Sequence, residues 1–362
     1  MISLLNSTAT KPDSGTAPVA VEPSRPRGLD RWWSRTVGLA LLGVLALSAA
    51  VLSIAVGAKS IPFSHALDAV FDYDRSLTEH LIVRELRVPR TVLALAVGAA
   101  LGLAGSVMQG VTRNPLADPG LLGVNAGAAL GVVTGIGFLS VSSPSGYVWF
   151  AFAGAAAAGV AVYGLGSIGR GGATPVKLAI AGAAMSALLG SFTSAMLLLD
   201  SATLDQYRFW AVGSVAGRDL EIAGAVAPFL ILGAILAMAS SRALNGLALG
   251  EDVARSLGQR VGWTRAVAAA SVVLLCGAAT AAVGPIWFVG LTVPHVARAI
   301  TGPDHRWMLP YAMVAGAVLL TLADVAGRVL VRPGELEVGV VTAFLGAPVF
   351  IAFVRQRRIA EL

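Results

Sequence analysis

The chain has 362 residues, 56% of them hydrophobic and 13% charged, with a mean hydropathy of +0.78 and a formal net charge of +6. Soluble domains carry about 25% charged residues, so this composition excludes a soluble globular enzyme and points to a polytopic membrane protein. The one cysteine, Cys276, excludes an internal disulfide and a multi-cysteine metal site, and is expected as a small core residue.

The first segment, residues 1–34, is polar and rich in Pro, Ser and Thr (STATKPDSGTAPVAVEPSRPRG), as disordered tails are. The apolar run behind it starts too late and is too long for a cleavable signal. About 20 apolar residues cross a bilayer. Runs near that length fall at 36–57, 88–111, 121–140, 147–168, 178–199, 222–241, 266–284, 286–301, 309–327 and 338–355. The eighth is short and interrupted, so the pattern alone supports nine or ten spans. A transmembrane domain is expected over 35–358, with a C-terminal tail at 359–362. Ten spans put both termini on one side. With the termini inside, 17 of the 26 Lys and Arg fall inside, which orients the chain N-in and C-in. The charge follows the topology, and no nucleic-acid partner is expected.

Taken in order, the polar stretches suggest roles. Gly57-Ala58-Lys59-Ser60 lacks the first glycine of a phosphate-binding loop and heads an outer segment, so it gives no sign of ATP hydrolysis. The outer loop from Lys59 to Arg87 carries His65 and His80, both expected to be solvated. It ends in VRELRVPR, where Arg84, Arg87 and Arg90 stand against the positive-inside trend. Two readings are open: headgroup contact or local pairing with Glu85 and Glu335, or a docking ring for an acidic extracytoplasmic partner. In QGVTRNPLADPGLLGVNAGAALG (Gln109–Gly131), two prolines interrupt an apolar run. Non-helical backbone at membrane depth needs cover from protein or a water-filled cavity.

Ser240–Arg265 is long for a connector. Its Leu247, Leu249, Val253 and Leu257 recur at near-helical spacing, with Glu251, Asp252 and Arg255 between them, so short amphipathic helices that dock a cytoplasmic partner are expected. GPIWFVGLTVPHVARAITGPDHR (Gly284–Arg306) again combines prolines with an apolar run. Its His295 and His305 are expected as interfacial polar residues rather than metal ligands. Asp324 is the one candidate intramembrane acid, and Arg328 four residues on makes it an i,i+4 pair. So few buried acids weaken the reading as an ion-coupled secondary transporter. A membrane enzyme would need a catalytic polar cluster at one depth, and none is visible.

These stretches resemble the FecCD-type permease subunits of ABC importers for ferric siderophores, haem and cobalamin. LRVPRTVLALAVGAALGLAGSVMQGVTRNPLADPGLLGVNAGA is similar to the family's second and third helices, and LALGEDVARSLG to its coupling segment. GPIWFVGLTVPHVARAITGPDHR and ELEVGVVTAFLGAPVFI resemble its last third. The resemblance implies an all-α fold of about ten transmembrane helices, N-in and C-in, of the type II importer kind, in a bacterial cytoplasmic membrane. It implies a second permease subunit, identical or paralogous, two cytoplasmic ATPase subunits and an extracytoplasmic binding protein. ATP and Mg would be bound by the ATPases, and this chain would hold no cofactor and no metal and do no catalysis. Coupling falls on Gly250, Glu251, Ala254, Leu257 and Gly258 within the 240–265 loop. Docking falls on Arg87, Arg90 and Arg328. Pathway or structural motifs fall on Asn114, Pro115, Pro119, Gly284, Pro285, Pro294 and His295. The chain departs from the pattern at Glu337, where the family usually has proline, and this bears on the outer start of the last helix. The expected activity is ATP-driven import of a ferric siderophore, with cobalamin or haem as the alternative.

Overall fold

The computed structural model describes residues 32–57, 59, 61–141, 143–169 and 172–355, with the side chains of 63, 67, 70 and 353–355 outside that description. Apart from residues 32–34, which are helical, the expected tails lie outside the described residues. So do Ala58, Ser60, Arg170, Arg357 and Arg358.

All regular structure among the described residues is helical. In chain order the helices are α1 (Trp32–Ala55), α2 (Phe63–Phe71), α3 (Thr78–Leu81), α4 (Val88–Thr112), α5 (Val124–Leu139), α6 (Pro144–Ser167), α7 (Pro175–Leu199) and α8 (Ser201–Ala211). Then come α9 (Leu220–Ala239), α10 (Ser241–Ala248), α11 (Glu251–Ser256), α12 (Val261–Val283), α13 (Val289–Thr301), α14 (His305–Leu330) and α15 (Val338–Arg355). Seven stretches are long and apolar enough to cross a membrane: α1, the continuous rod Thr78–Thr112, α6, α7, α9, α12 and α14. The runs at 121–140 and 338–355 form shorter apolar helices, and the run at 286–301 forms α13, of 13 residues.

The second rod starts ten residues before the expected Val88. A π-helical stretch, Ile82–Arg87, leads into Pro89, which has no N–H to donate, and the helix passes the proline unbroken. Residues 61–87 are correspondingly more ordered than their polarity suggests. α2 folds over the start of this rod, which begins with α3, and Ile61, Ala66, Ala69 and Val83 form a small apolar core there. That corrects the expectation for His80, which is buried: its Nδ1 accepts from the Asp74 N–H at 3.0 Å and its ring stacks on Tyr73. His65 stays exposed, 2.5 Å from Glu79.

Burial separates centre from rim. The apolar window of the Thr78–Thr112 rod is 78% buried, against 11% in α1 and in α7. α4 reaches the centre because glycine lets backbones meet. A Cβ at Gly98 would collide with the Gly316 carbonyl of α14, and one at Gly102 with that of Ala312. This small-xxx-small pairing is the usual device for close helix approach in lipid, where apolar side chains gain little by leaving the tails.

Candidate functional site

Three polar regions interrupt this apolar bundle. The first is the face formed by α10 and α11. Gly250, at φ +105°, breaks the chain between the two helices, and Gly258, at φ +82°, ends the second. No other atom lies within 4 Å of a Cβ built at either position, so backbone conformation and not crowding selects glycine there. Ala254 is buried under α11, whereas Leu249, Val253 and Leu257 form an exposed apolar ridge, with Leu257 70% exposed. Asp252 and Arg255 flank the ridge. Glu251 does not point away with it. One carboxylate oxygen accepts from Arg255 at 2.8 Å and the other from the buried Arg265 of α12. Burial pushes the Glu251 carboxyl up, but the hydrogen bond and charge of Arg265, with the charge of Arg255, hold it below the ordinary range. Glu251 thus fixes the ridge to the bundle, and Arg265 is a site residue that the sequence pattern did not single out. Gln259 adds a second tie, donating to the Ala243 carbonyl at 2.8 Å.

The second region is a seam between α4 and α13. α12 stops at Val283, and Gly284 (φ +81°) and Phe288 (φ +69°) turn the chain into α13. This broken stretch is covered: Gly284, Pro285 and Ile286 are buried, and the Ser214 N–H donates to the Val283 carbonyl at 2.7 Å. Pro294 lies inside α13 and has no N–H for the Gly290 carbonyl. That carbonyl lies against Gly105 of α4, where any side chain would strike it. Gln109, one turn further along α4, donates to the neighbouring Leu291 carbonyl at 3.2 Å. A glycine on α4 therefore lets the two backbones meet beside the proline, and a buried glutamine ties α4 to α13 at the next carbonyl. Sequence reasoning flagged Pro294 and missed Gln109. The signal was available, as a lone amide within an apolar helix opposite a proline-containing one.

The seam continues through Arg298, whose Nη2 donates to Gln109 Oε1 at 3.4 Å, and His295, whose Nε2 donates to the Pro115 carbonyl at 2.9 Å. His295 is thus half-buried and structural. Asn114 and Asp118 close tight turns around Pro115, accepting from Leu116 N–H and Gly120 N–H. Pro119 is buried against Gly290. Asn114, Pro115, Pro119, Pro294 and His295 converge here. Pro285 instead lines a cavity of about 450 Å³, together with Asn125, Ser186, Thr193, Tyr207 and Trp287. His305 is also corrected. It is not interfacial but 2% exposed, and its Nδ1 donates to Asn245 Oδ1 at 2.9 Å.

The third region lies at the opposite face. Arg87, Arg90 and Arg328 are buried, with Arg328 only 1% exposed. Arg87 donates to the carbonyls of Ile54 (2.9 Å), Ala55 (2.7 Å) and Lys59 (2.5 Å). Arg328 donates to those of Ser53 (2.9 Å) and Val56 (3.0 Å), and Arg332 to that of Gly57 (2.9 Å). The last carbonyls of a helix have no partners within it. Here Arg87 and Arg328 supply them for α1, Arg332 holds the chain just beyond it at Gly57, and cations suit the negative end of the helix dipole. Arg90 instead pairs with Asp324 at 2.8 Å and Glu335 at 2.6 Å, and Arg328 reaches Asp324 at 2.9 Å. The expected Asp324–Arg328 pair is present as part of this larger cluster, and Glu335 pairs as one of the two readings anticipated. Lys59, Arg87, Arg90, Arg328 and Glu335 also line a recess of about 280 Å³. Among the described residues no group of three or more His, Cys, Asp or Glu could hold a metal ion.

An all-helical bundle with glycine-packed spans, a proline-broken segment under protein cover and a two-helix loop anchored by an ion pair has close counterparts. The profile of the FecCD transport family matches residues 44–356. The ferric enterobactin transport system permease protein of Escherichia coli is 48% identical over 325 residues, covering 90% of this chain and 96% of that protein. A cobalamin import system permease protein of Halobacterium salinarum is 33% identical, covering 91% of this chain and 97% of the relative. Among solved structures, an inward-facing conformation of a proposed metal-chelate type ABC transporter has a TM-score of 0.77 at 28% identity, covering 89% of this chain and 99% of that one. With the match spanning all three polar regions, the chain belongs to the FecCD transport family, whose members are permeases and not enzymes.

Proposed function

We propose that this chain is the permease subunit of an ATP-driven importer of ferric siderophores in a bacterial cytoplasmic membrane. The observation that carries the reading is the α10–α11 face: an exposed ridge of Leu249, Val253 and Leu257, held to the bundle by Glu251 and Arg265. A ridge of this kind on a short, tethered helix suits the groove of a separate ATPase subunit. ATP and Mg belong to that partner, and closure of two ATPases would press on α11 and so on α12. On this reading the termini and the α10–α11 face are cytoplasmic, and the arginine cluster faces outward, where a binding protein delivers the chelate. Gly250, Glu251, Ala254, Leu257 and Gly258 carry coupling. Arg87, Arg90 and Arg328 carry docking, chiefly by holding the end of α1 and the rim of the 280 Å³ recess in place.

A second permease subunit fits against the side of α7 whose Ser186, Thr193 and Ser194 line the 450 Å³ cavity. α7 also exposes Ile180, Leu188, Phe192, Leu198 and Leu199, as α1 exposes Leu41, Val44 and Leu47, so the cavity-lining hydroxyls rather than the whole exposed face mark the side that suits a wet pathway. Iron chelates are favoured as cargo because relatives named for ferric enterobactin and for iron(3+)-hydroxamate are 48% and 40% identical. Cobalamin is the alternative, on the 33% identical relative. Uptake of radiolabelled ferric siderophore and of labelled cobalamin, in iron-starved cells with and without the gene, tests this. Loss of iron uptake alone supports the reading. Loss of cobalamin uptake alone moves the cargo to the vitamin, and uptake that persists after ATP depletion overturns the ATP-driven mechanism.

A further inference from the structure

The ends of α14 meet two of the three polar regions. At its outer end Arg328 holds the last turn of α1 and Asp324 holds Arg90. At its inner end lies a contact that neither the ion pair nor the ridge explains. Asn245, in the middle of α10, uses both ends of its amide. Nδ2 donates to Asp304 Oδ1 at 2.7 Å, while Oδ1 accepts from the His305 N–H at 2.8 Å and from His305 Nδ1 at 2.9 Å. The partners fix the chemistry. A carboxylate only accepts, so the amide nitrogen faces Asp304. The amide oxygen only accepts, so His305 carries its proton on Nδ1. Asp304 is also the N-cap of α14, accepting from the Arg306 N–H at 3.0 Å. His305 is enclosed against Gly110 at the end of α4, where a side chain would meet its Nε2 at 2.7 Å.

α14 is well suited to carry displacement from one end to the other. Its Gly316 and Ala312 meet Gly98 and Gly102 of α4 backbone to backbone. Its Tyr311 hydroxyl donates to the Arg35 carbonyl at 2.7 Å, near the inner end of α1, while Arg328 grips the outer end of the same helix. α1, α4 and α14 are thus joined along their length. A push on α10 can therefore reach the outer arginine cluster through α14 as well as through the packing of α10 on α4, and Asn245 supplies the hydrogen-bonded lock on the α14 route.

We propose that Asn245 is a positioning residue of transport: a three-bond clamp that carries motion of the cytoplasmic loop into α14, and through it to the outer end of α1. The inference rests on the ATP-driven reading above. Its test is the assembled transporter in liposomes, with ATPases and binding protein, reading chelate uptake per ATP hydrolysed, together with the melting temperature of each variant. Wild-type uptake that needs ATP establishes the parent reading independently of any variant. Asn245→Ala is then expected to lower uptake per ATP on the order of tenfold, within the usual span of coupling between sites, in complexes that assemble and melt as wild type does. Asn245→Asp sets a carboxylate against Asp304 and is expected to do the same. Asn245→Asp combined with Asp304→Asn restores a donor–acceptor pair across the contact, but Asp304 Oδ1 also caps the Arg306 N–H, so recovery above Asn245→Asp alone and short of wild type is expected. Unchanged uptake per ATP in Asn245→Ala overturns the proposal. So does a loss that tracks melting temperature across all three variants.

Discussion

At the scale of single residues, charge in this protein is placed by what it can pair with. Asp324 is fully buried and accepts from two arginines that belong to different helices. Removing one member of a buried ion cluster leaves uncompensated charge, at a cost of about 3–5 kcal/mol. Asp324→Ala and Asp324→Asn both remove the charge and are each expected to destabilise the purified permease by that order. Thermal unfolding of the two variants beside wild type checks this, and melting temperatures equal to wild type would remove the cluster from the account of stability. Asp304 gives a pH prediction. The hydrogen bond from Arg306, against the effect of burial and with help from Asn245, pulls its carboxyl down from 3.8 to about 2. A lowered carboxylate contributes its stability above the unfolded value and loses it as pH falls through the folded one. Its contribution should thus be constant above 3.8 and fade as pH falls towards 2. Asp304→Asn removes that contribution, so it should melt below wild type in the neutral region and converge with it as pH falls towards 2, flattening the acid limb.

Among the elements, glycine decides which helices are central. Gly105 touches the Gly290 carbonyl that Pro294 has left without its helical donor. Gly105→Ala must push α4 and α13 apart, and overpacking of this kind costs about 1–3 kcal/mol. Gly224 in α9 has nothing within 4 Å of an added Cβ, and Gly224→Ala should be neutral or favourable by up to about 1 kcal/mol. Yield and melting temperature of the two variants separate packing from propensity. Gly258 belongs to a third class, open but at φ +82°. Gly258→Val should strain the end of α11 by about 1–2 kcal/mol. It should reduce uptake per ATP hydrolysed while the bundle melts as before. Normal uptake per ATP in an assembled Gly258→Val complex would count against a coupling role for this turn.

For the molecule as a whole, the uneven burial of its helices predicts where water goes. α1 and α7 are equally uncovered, each only 11% buried, but Ser194 of α7 lines the 450 Å³ cavity whereas Leu41 of α1 is exposed among other apolar side chains. Thiolate chemistry needs water, so cysteine labelling distinguishes lipid from a wet pathway. In a Cys276→Ala background, Ser194→Cys is expected to react with a polar thiol reagent at least on the order of tenfold faster than Leu41→Cys. Similar rates would mean that α7 faces lipid after all.

How much of this was legible in advance follows from the range of each interaction. Apolar runs of bilayer length, the amphipathic spacing of Leu249, Val253 and Leu257, and the glycines at 250 and 258 are local properties of the chain. The sequence alone determined an all-helical membrane protein with an amphipathic two-helix loop, and its motif order carried the family. Partners across the bundle are not local. Gln109 finds the Leu291 carbonyl, Arg265 finds Glu251, and Arg87 and Arg328 find the last carbonyls of α1 only once the helices are packed. His80 and His305 look solvated or interfacial in the sequence because nothing near them in the chain announces the helices that bury them. Tertiary structure decided those points for one physical reason: at membrane depth every polar group must find a partner inside the protein, and the nearest partner in space is seldom the nearest in sequence.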